Sequence, residues 1–266
     1  RLSLVGSEMC IRDRFNTVTF CIFAVIFFAG WGWFRRGNNR RWGYLIAASF
    51  IFYGWWDWRF LFLLIGSGLV DFFAGLGMER YERRRTWWLV ASVVMNVGCL
   101  GVFKYLDFFL VSCGNVLGWL GAEANIKPAG FILPVGISFY TFQSMSYSID
   151  VYRRRLKPTH NVLHFFAYLS LFPQLVAGPI VRASHLLGQM TEARPLSEEQ
   201  RWEGMKLIVR GFFKKMVIAD NLAPIVVTAF DAVEPMPSSL YWWVIMMMFA
   251  FQIYCDFSGY SDIARG

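Results

Sequence analysis

Five long apolar runs, separated by short polar connections, fill the first 150 residues of the chain. They cover residues 15–34, 42–56, 60–78, 86–109 and 129–149. A helix needs about 20 mostly apolar residues to cross a bilayer. Because hydrocarbon offers no partner to unpaired backbone groups, segments that cross it are expected to be helical. The sequence therefore predicts an all-α, polytopic transmembrane protein.

The composition supports a membrane protein over a soluble one. Hydrophobic residues make up 56% of the 266 residues and charged residues only 17%. A soluble domain of this size needs more polar surface than that to cover its core. The net charge of +8 comes from basic residues between the apolar runs, and no nucleic-acid-binding motif accompanies them. Nucleic acid is therefore not expected as a partner.

The basic residues alternate between successive connections. Lys and Arg number four, one, four, one and four in residues 35–41, 57–59, 79–85, 112–128 and 152–158. Connections that face the cytosol carry the excess of Lys and Arg. The first, third and fifth connections are therefore predicted to be cytosolic.

The alternation ends after residue 160. The run Asn161–Val181 is apolar but contains Pro173 and Pro179, and the basic segment Arg182–Lys215 follows it. A full crossing would place that basic segment outside, against the charge rule. We therefore expect Asn161–Val181 to be a re-entrant or broken helix, which survives at membrane depth only where protein or water surrounds it. Ser197–Gln200 has the sequence of a capping box and predicts a helix start.

Three charged residues interrupt the apolar runs. Asp71 lies in the third run, and Lys104 and Asp107 lie three residues apart in the fourth. A charge at the bilayer centre costs about 2.5–3.5 kcal/mol on insertion scales. Lys104 and Asp107 are expected to pair with each other or to reach the interface. Asp71 has no local partner, so a place on a substrate path and a structural role both stay open.

The chain carries few residues suited to catalysis. His160, His164 and His185 have no Ser, Cys or Asp partner at the spacing of a known motif, and the five cysteines lack metal-ligand spacing. No metal site is therefore expected. The residues alone do not separate an enzyme from a secondary transporter.

The first fourteen residues differ in character from the rest of the chain. Leu4–Asp13 resembles a translated adapter from DNA library preparation, and the stretch lacks the long apolar run of a signal peptide. Residues 1–14 are therefore interpreted as non-native. Residues 15–266 are interpreted as the N-terminal part of a single membrane domain.

Four collinear stretches carry a resemblance to a known family. They are LPVGISFYTFQSMSYSIDVYR (Leu133–Arg153), LSLFPQLVAGPIVR (Leu169–Arg182), RGFFKKMVIADNLAPIV (Arg210–Val226) and YCDFSGYSDIARG (Tyr254–Gly266). In this order and at these distances they resemble the membrane-bound O-acyltransferase family. Within it they look most like the branch that acetylates bacterial exopolysaccharides such as alginate.

This resemblance implies a many-helix protein of the bacterial cytoplasmic membrane, built around a tunnel. Acetyl-CoA would present its thioester from the cytosol, and the acetyl group would pass to a periplasmic or extracellular acceptor protein or to the polysaccharide. Acetylation of peptidoglycan and D-alanylation of teichoic acid are alternatives within the same family. A secondary transporter is the alternative from another class.

The resemblance also implies roles for particular residues. Six side chains in the matched stretches would line the reaction chamber or hold its wall in shape: Gln143, Gln174, Asp256, Ser258, Tyr260 and Asp262. Three basic residues would contact the phosphates of the donor at its cytosolic mouth: Arg182, Lys214 and Lys215. The alternative for the two aspartates is a solvated helix end, and for the basic residues it is ordinary anchoring at the cytosolic surface.

One hallmark of the family is missing from this chain. The family's catalytic histidine lies downstream of the DFSGYSD segment, whereas no histidine follows His185 here. We therefore expect the 266-residue chain by itself to have no acetyltransferase activity.

Overall fold

The computed structural model describes residues 18–34, 38–55, 57–119, 128–130, 133–134, 136–175, 181–191, 197–232 and 238–266. Every regular element within these ranges is helical, which confirms the predicted all-α class. The predicted non-native residues 1–14 lie outside them.

The α-helices are numbered in chain order, and two of the longer helical stretches contain a π-helix. The α-helices are α1 (Val18–Phe34), α2 (Asn38–Gly54), α3 (Arg59–Arg80), α4 (Arg85–Leu100), α5 (Leu106–Trp119), α6 (Ile137–Tyr152), α7 (Val162–Leu169), α8 (Phe172–Leu175), α9 (Ala183–Thr191), α10 (Glu198–Phe212), α11 (Asp220–Asp231) and α12 (Ser239–Arg265). The π-helices are Gly101–Tyr105, between α4 and α5, and Phe213–Ala219, between α10 and α11.

Three helical stretches of the described residues are long and apolar enough to cross a membrane. They are Arg59–Arg80, Glu82–Trp119 and Ser239–Arg265, and α1 is a shorter apolar helix of 17 residues. The second stretch corrects the sequence prediction, which ended that run near Phe109. The helix continues past Gly114 because a lipid-facing segment keeps its backbone groups bonded within the helix, even where glycine weakens it.

The fifth run also differs from its prediction. Helix α6 begins at Ile137 rather than at Ala129. Pro134 has no amide hydrogen to contribute to a helix, and Gly136 adopts a left-handed φ of 71° directly before the first helical residue. These residues fix the helix start eight residues later than the apolar pattern suggested.

The described residues fall into two compact units. The first contains α1 from Ile22 onward and the elements through α9. In it, α3, α4 and α6 pack against one another, and α7 packs on α3. Its core is built from fully buried large side chains, among them Leu64, Met78, Tyr147 and Phe165.

The predicted break in Asn161–Val181 is present. Helix α7 ends at Leu169, and α8 starts at Phe172 and has only four residues. Eight residues of α7 give a rise of about 12 Å, too short to cross a bilayer core of about 30 Å. The Phe172 ring packs edge-on against Phe23 and Phe27 of α1, at 5.1 and 5.0 Å between ring centroids. Pro179 lies outside the described residues.

The second unit contains α10, the second π-helix, α11 and α12. Helix α10 starts at the predicted capping box, in which Ser197 Oγ accepts from the Gln200 amide at 3.2 Å and Gln200 Oε1 accepts from the Ser197 amide at 3.0 Å. Helices α10 and α12 run antiparallel and touch through glycines, Gly211 against Gly259 and Gly204 against Gly266. A Cβ on Gly211 would lie 2.5 Å from the Gly259 carbonyl oxygen, so the backbones meet only because both residues lack a side chain.

Candidate functional site

The last two turns of α12 carry a carboxylate that binds two cations of the facing helices. Asp262 Oδ2 lies 2.8 Å from Lys214 Nζ and 3.1 Å from Arg210 Nε. Lys214 Nζ also donates to Ser258 Oγ at 2.8 Å. Ser258 and Asp262 are four residues apart and therefore lie on one face of α12. Lys214 thus joins the π-helix to two points on that face.

A second ion pair lies beside the first. Lys215 Nζ lies 2.8 Å from Asp256 Oδ1 on α12 and 2.8 Å from Asp220 Oδ1, the first residue of α11. Lys215 is only 6% exposed. A buried ammonium group is tolerated where carboxylates compensate its charge. Lys215 therefore holds three helical segments of the second unit together.

The π-helix and the glycines explain how these side chains meet. Lys214 and Lys215 are adjacent in sequence, and both lie within the π-helix Phe213–Ala219. Such a widened turn often occurs at functional sites. The close approach at Gly211 and Gly259 brings the lysines within reach of α12. The three cations and three carboxylates, named here the α10–α12 ion cluster, are Arg210, Lys214, Lys215, Asp220, Asp256 and Asp262.

The cluster changes the expectation for the basic residues. Lys214 and Lys215, predicted as phosphate contacts, point at carboxylates of their own unit. A donor phosphate would have to compete with Asp262 and Asp256 for them. Arg182 is exposed and belongs to the first unit. A role of these three residues as phosphate contacts stays a prediction.

The remaining predicted residues are mostly buried. Gln143 Nε2 donates to the Tyr168 carbonyl at 2.9 Å, and the Tyr168 hydroxyl donates to the Gln143 carbonyl at 3.0 Å, so the two residues clasp α6 to α7. Gln174 is 8% exposed, and its Oε1 meets no hydrogen-bond donor of the described residues. Tyr260 is 5% exposed and lies on α12 between Asp256 and Asp262.

Asp71 has four partners that sequence reasoning missed. Its carboxylate accepts from the hydroxyls of Ser92, Ser144 and Ser148 and from the Asn96 side-chain amide, at 2.8 Å in the last case. Asp71 is fully buried, and within the described ranges no cation lies in ion-pair range of it. The available signal was a spacing of four between Ser92 and Asn96 and between Ser144 and Ser148, which puts each pair on one helix face. We name these five residues the Asp71 cluster.

The other charged residues of the apolar runs do not pair as expected. Lys104 Nζ lies 3.4 Å from Ser138 Oγ, and Asp107 accepts from the backbone amides of Ala129 and Gly130 at 2.7 and 3.3 Å. Of the two alternatives predicted for Lys104 and Asp107, the ion pair is therefore wrong, and a position at the interface stays a prediction. Lys104 lies in the first π-helix, which turns it away from the i+3 position of a regular helix.

The three histidines belong to the first unit, and none of them is among the described partners of Asp71. His160 is exposed and its Nε2 lies 3.0 Å from Glu79 Oε2, while the His164 ring packs on Trp42 at 4.5 Å between centroids. His185 is exposed on α9. In the described part of the chain, no three His, Cys, Asp or Glu side chains converge as metal ligands.

Comparison with known proteins places these helices in a family. The profile described as MBOAT, membrane-bound O-acyltransferase family, matches residues 137–266, which include α6 through α12. The chain is 36% identical over 239 residues to a probable alginate O-acetylase AlgI of Pseudomonas aeruginosa, covering 88% of this chain and 45% of that relative. It is 37% identical over 227 residues to a protein of the same description from Azotobacter vinelandii, covering 84% and 44%.

A relative described by a different activity also matches. The chain is 33% identical over 251 residues to a peptidoglycan O-acetyltransferase of Helicobacter pylori, covering 84% of this chain and 46% of that relative. The chain thus spans just under half the length of the curated relatives it matches. The family profile covers both the clasp at Gln143 and the α10–α12 ion cluster, and with the identity to these acetyltransferases it shows that the chain belongs to the membrane-bound O-acyltransferase family.

Proposed function

We propose that the chain supplies part of a membrane-bound O-acetyltransferase that passes an acetyl group from cytosolic acetyl-CoA across the bacterial cytoplasmic membrane to an exported polysaccharide such as alginate. The observation that carries this proposal is 36% identity to a probable alginate O-acetylase over 88% of the chain. The acceptor is a polysaccharide or an acetyl-carrying protein on the far side of the membrane.

The α10–α12 ion cluster supports this proposal because it holds the backbone of α12 in a fixed position. Asp262, Lys214 and Ser258 fix the last turns of α12 against the π-helix. A transferase that keeps a thioester away from water needs reactants held by rigid elements in a narrow passage. We infer that Asp256, Ser258, Tyr260 and Asp262 hold the second unit's helices in the shape that acetyl transfer needs. For Gln143 and Gln174 we infer the same supporting role within the first unit.

A chimera tests the acetyl-transfer proposal. The matching 239 residues of the Pseudomonas aeruginosa relative would be replaced by those of this chain, and the chimera expressed in a strain lacking its own alginate O-acetylase. We expect O-acetyl groups on the secreted alginate, measured by NMR of the purified polymer. An accumulated, membrane-inserted chimera that leaves alginate unacetylated contradicts the proposal.

Two variants of the chimera test the role of the ion cluster. Asp262→Asn removes the charge that Lys214 and Arg210 bind, and we expect acetylation to fall at least several-fold. Lys206→Met is the matched control because Lys206 lies on the same helix as Arg210, is exposed and pairs with Glu203 at 2.8 Å, outside the cluster. Equal losses in both variants would count against a positioning role for Asp262.

The match to the Helicobacter pylori protein supports peptidoglycan as a second acceptor candidate. A parallel chimera with that relative, assayed for O-acetylated muramic acid, separates the two. If O-acetylation is restored in only one of the two hosts, that host's polymer is the acceptor class that this part of the chain accommodates.

A further inference from the structure

Two basic connections that are distant in sequence form one edge of the first unit. Arg154 Nη2 lies 3.2 Å from Glu82 Oε1, and Arg85 donates to the carbonyl of Val151. Thr86 Oγ1 lies 3.4 Å from the Tyr152 hydroxyl. The connection between α3 and α4 therefore packs directly against the end of α6, and their positive charges add.

This edge carries far more positive than negative charge. Its two acidic side chains are both engaged, Glu79 with His160 and Glu82 with Arg154. In the described residues, the following basic side chains of the edge have no carboxylate in ion-pair range: Arg80, Arg83, Arg84, Arg153, Arg155 and Lys157. The edge therefore presents uncompensated cations that attract anions.

An aromatic groove opens at this edge. It has a volume of about 840 Å³ and is lined by Tyr81, Arg84, Trp87, Trp88 and Ala91. The Trp88 indole is held in place because it packs over Gly77, where a Cβ would lie 2.5 Å from its ring. Trp87 is 75% exposed. The groove thus combines a free guanidinium group with a fixed and an exposed indole.

The position of the groove indicates its ligand. It lies where two membrane-crossing stretches, Arg59–Arg80 and Glu82–Trp119, meet their connection. Exposed tryptophans at such ends lie at the level of lipid headgroups, and basic pockets there bind anionic headgroups. We propose that this groove binds an anionic phospholipid, with the phosphate on Arg84 and the glycerol and upper acyl chain along Trp87 and Ala91.

Native mass spectrometry tests this site. The purified 266-residue chain would be reconstituted in nanodiscs of equimolar phosphatidylcholine and phosphatidylglycerol, and the lipids retained by the released protein counted. A basic residue near the surface contributes about a fivefold preference for anionic lipid. We therefore expect Arg84→Gln to lower the ratio of retained phosphatidylglycerol to phosphatidylcholine about fivefold, and Arg84→Lys to restore part of it.

Arg59→Gln is the matched control. Arg59 also begins a span beside an exposed tryptophan, Trp58, but it is bound to Asp57 at 2.6 Å, and hydrogen bonds from its side chain hold the pKa of Asp57 below the ordinary value. We expect Arg59→Gln to leave phosphatidylglycerol retention unchanged. An unchanged ratio in Arg84→Gln, or equal losses in both variants, overturns the proposal. So does displacement of phosphatidylglycerol by adenosine 3′,5′-bisphosphate, which would assign the groove to a soluble phosphate ligand.

Discussion

The two units compensate a buried carboxylate by different means. In the first unit, Asp71 accepts from four neutral side chains of α4 and α6. In the second, Asp262 is bound by two cations, and one of them, Arg210, is 59% exposed. Both aspartates are buried, at 0% and 6% exposure. The difference lies in whether the compensating group can also reach water.

This difference predicts how each cluster responds to change. The neutral donors of the Asp71 cluster compensate its carboxylate without burying a second charge. All four donors, however, depend on that one carboxylate as their acceptor. An ion cluster near water can replace a lost partner by hydration, so its outer members contribute little. The Asp71 cluster should therefore be the more sensitive of the two.

The largest effect is expected from Asp71→Ala. It leaves three hydroxyls and an amide without their acceptor, and unsatisfied buried groups cost about 1–3 kcal/mol each. Because the serines can turn to backbone carbonyls, we expect a loss of about 4 kcal/mol in the free energy of unfolding. Unfolding in mixed detergent micelles, followed by circular dichroism, measures it.

Ser67→Ala is the control for Asp71→Ala. Ser67 is buried on the same helix, and its hydroxyl donates to the carbonyl of Leu64 at 3.3 Å rather than to Asp71. We expect Ser67→Ala to lower the free energy of unfolding by less than about 1 kcal/mol. Similar losses in the two variants would show that the Asp71 cluster has no special role in holding α3, α4 and α6 together.

Lys215→Met probes the buried end of the ion cluster. It leaves Asp256 and Asp220 without the ammonium group that lies 2.8 Å from each. Removing one partner of a buried ion pair costs about 3–5 kcal/mol. Because Asp220 is partly exposed, we expect Lys215→Met to lower the free energy of unfolding by about 3 kcal/mol. Lys206→Met, on the exposed face of α10, should change the free energy of unfolding by less than about 0.5 kcal/mol. A small loss in Lys215→Met would mean that water reaches Asp256.

Gly259→Ala tests whether backbone contact or charge holds α10 to α12. The new Cβ would lie 2.8 Å from the Gly211 carbonyl oxygen and 3.2 Å from Lys214 Cβ. Overpacking of this kind costs about 1–3 kcal/mol. Gly98→Ala is the control, since a Cβ there meets no atom within 4 Å, and helix propensity predicts a neutral or stabilising change. A harmless Gly259→Ala would show that the helices can separate slightly while the ion pairs persist.

The sequence predicted helices better than it predicted partners. The extent of the third apolar run located α3 closely, and the capping box located the start of α10. The end of α5 and the start of α6 were misplaced because glycine and proline act through backbone geometry. Composition does not record that geometry.

Partners were missed because they are set by tertiary packing. Asp71 has no partner close in sequence because its four donors lie 21 to 77 residues further along the chain. Lys104 and Asp107 were paired on helical spacing, which the π-helix at Gly101–Tyr105 changes. The ion pairs of Lys214 with Asp262 and of Lys215 with Asp256 could not be predicted, because the residues of each pair lie more than 40 positions apart in the chain.

The smallest effect is expected from Arg210→Gln. Exposed ion pairs contribute about 0.2–1 kcal/mol. The variant keeps Lys214, whose Nζ lies 2.8 Å from Asp262 Oδ2 in this chain. We expect a loss of about 0.5 kcal/mol that disappears in concentrated salt. A double-mutant cycle with Asp262→Asn should give a coupling energy that falls as salt is added. A double-mutant cycle between Asp71→Asn and Ser148→Ala should give a coupling energy that is independent of salt, because salt does not screen a neutral donor. Equal salt dependence in the two cycles would contradict the difference proposed here between the Asp71 cluster and the α10–α12 ion cluster.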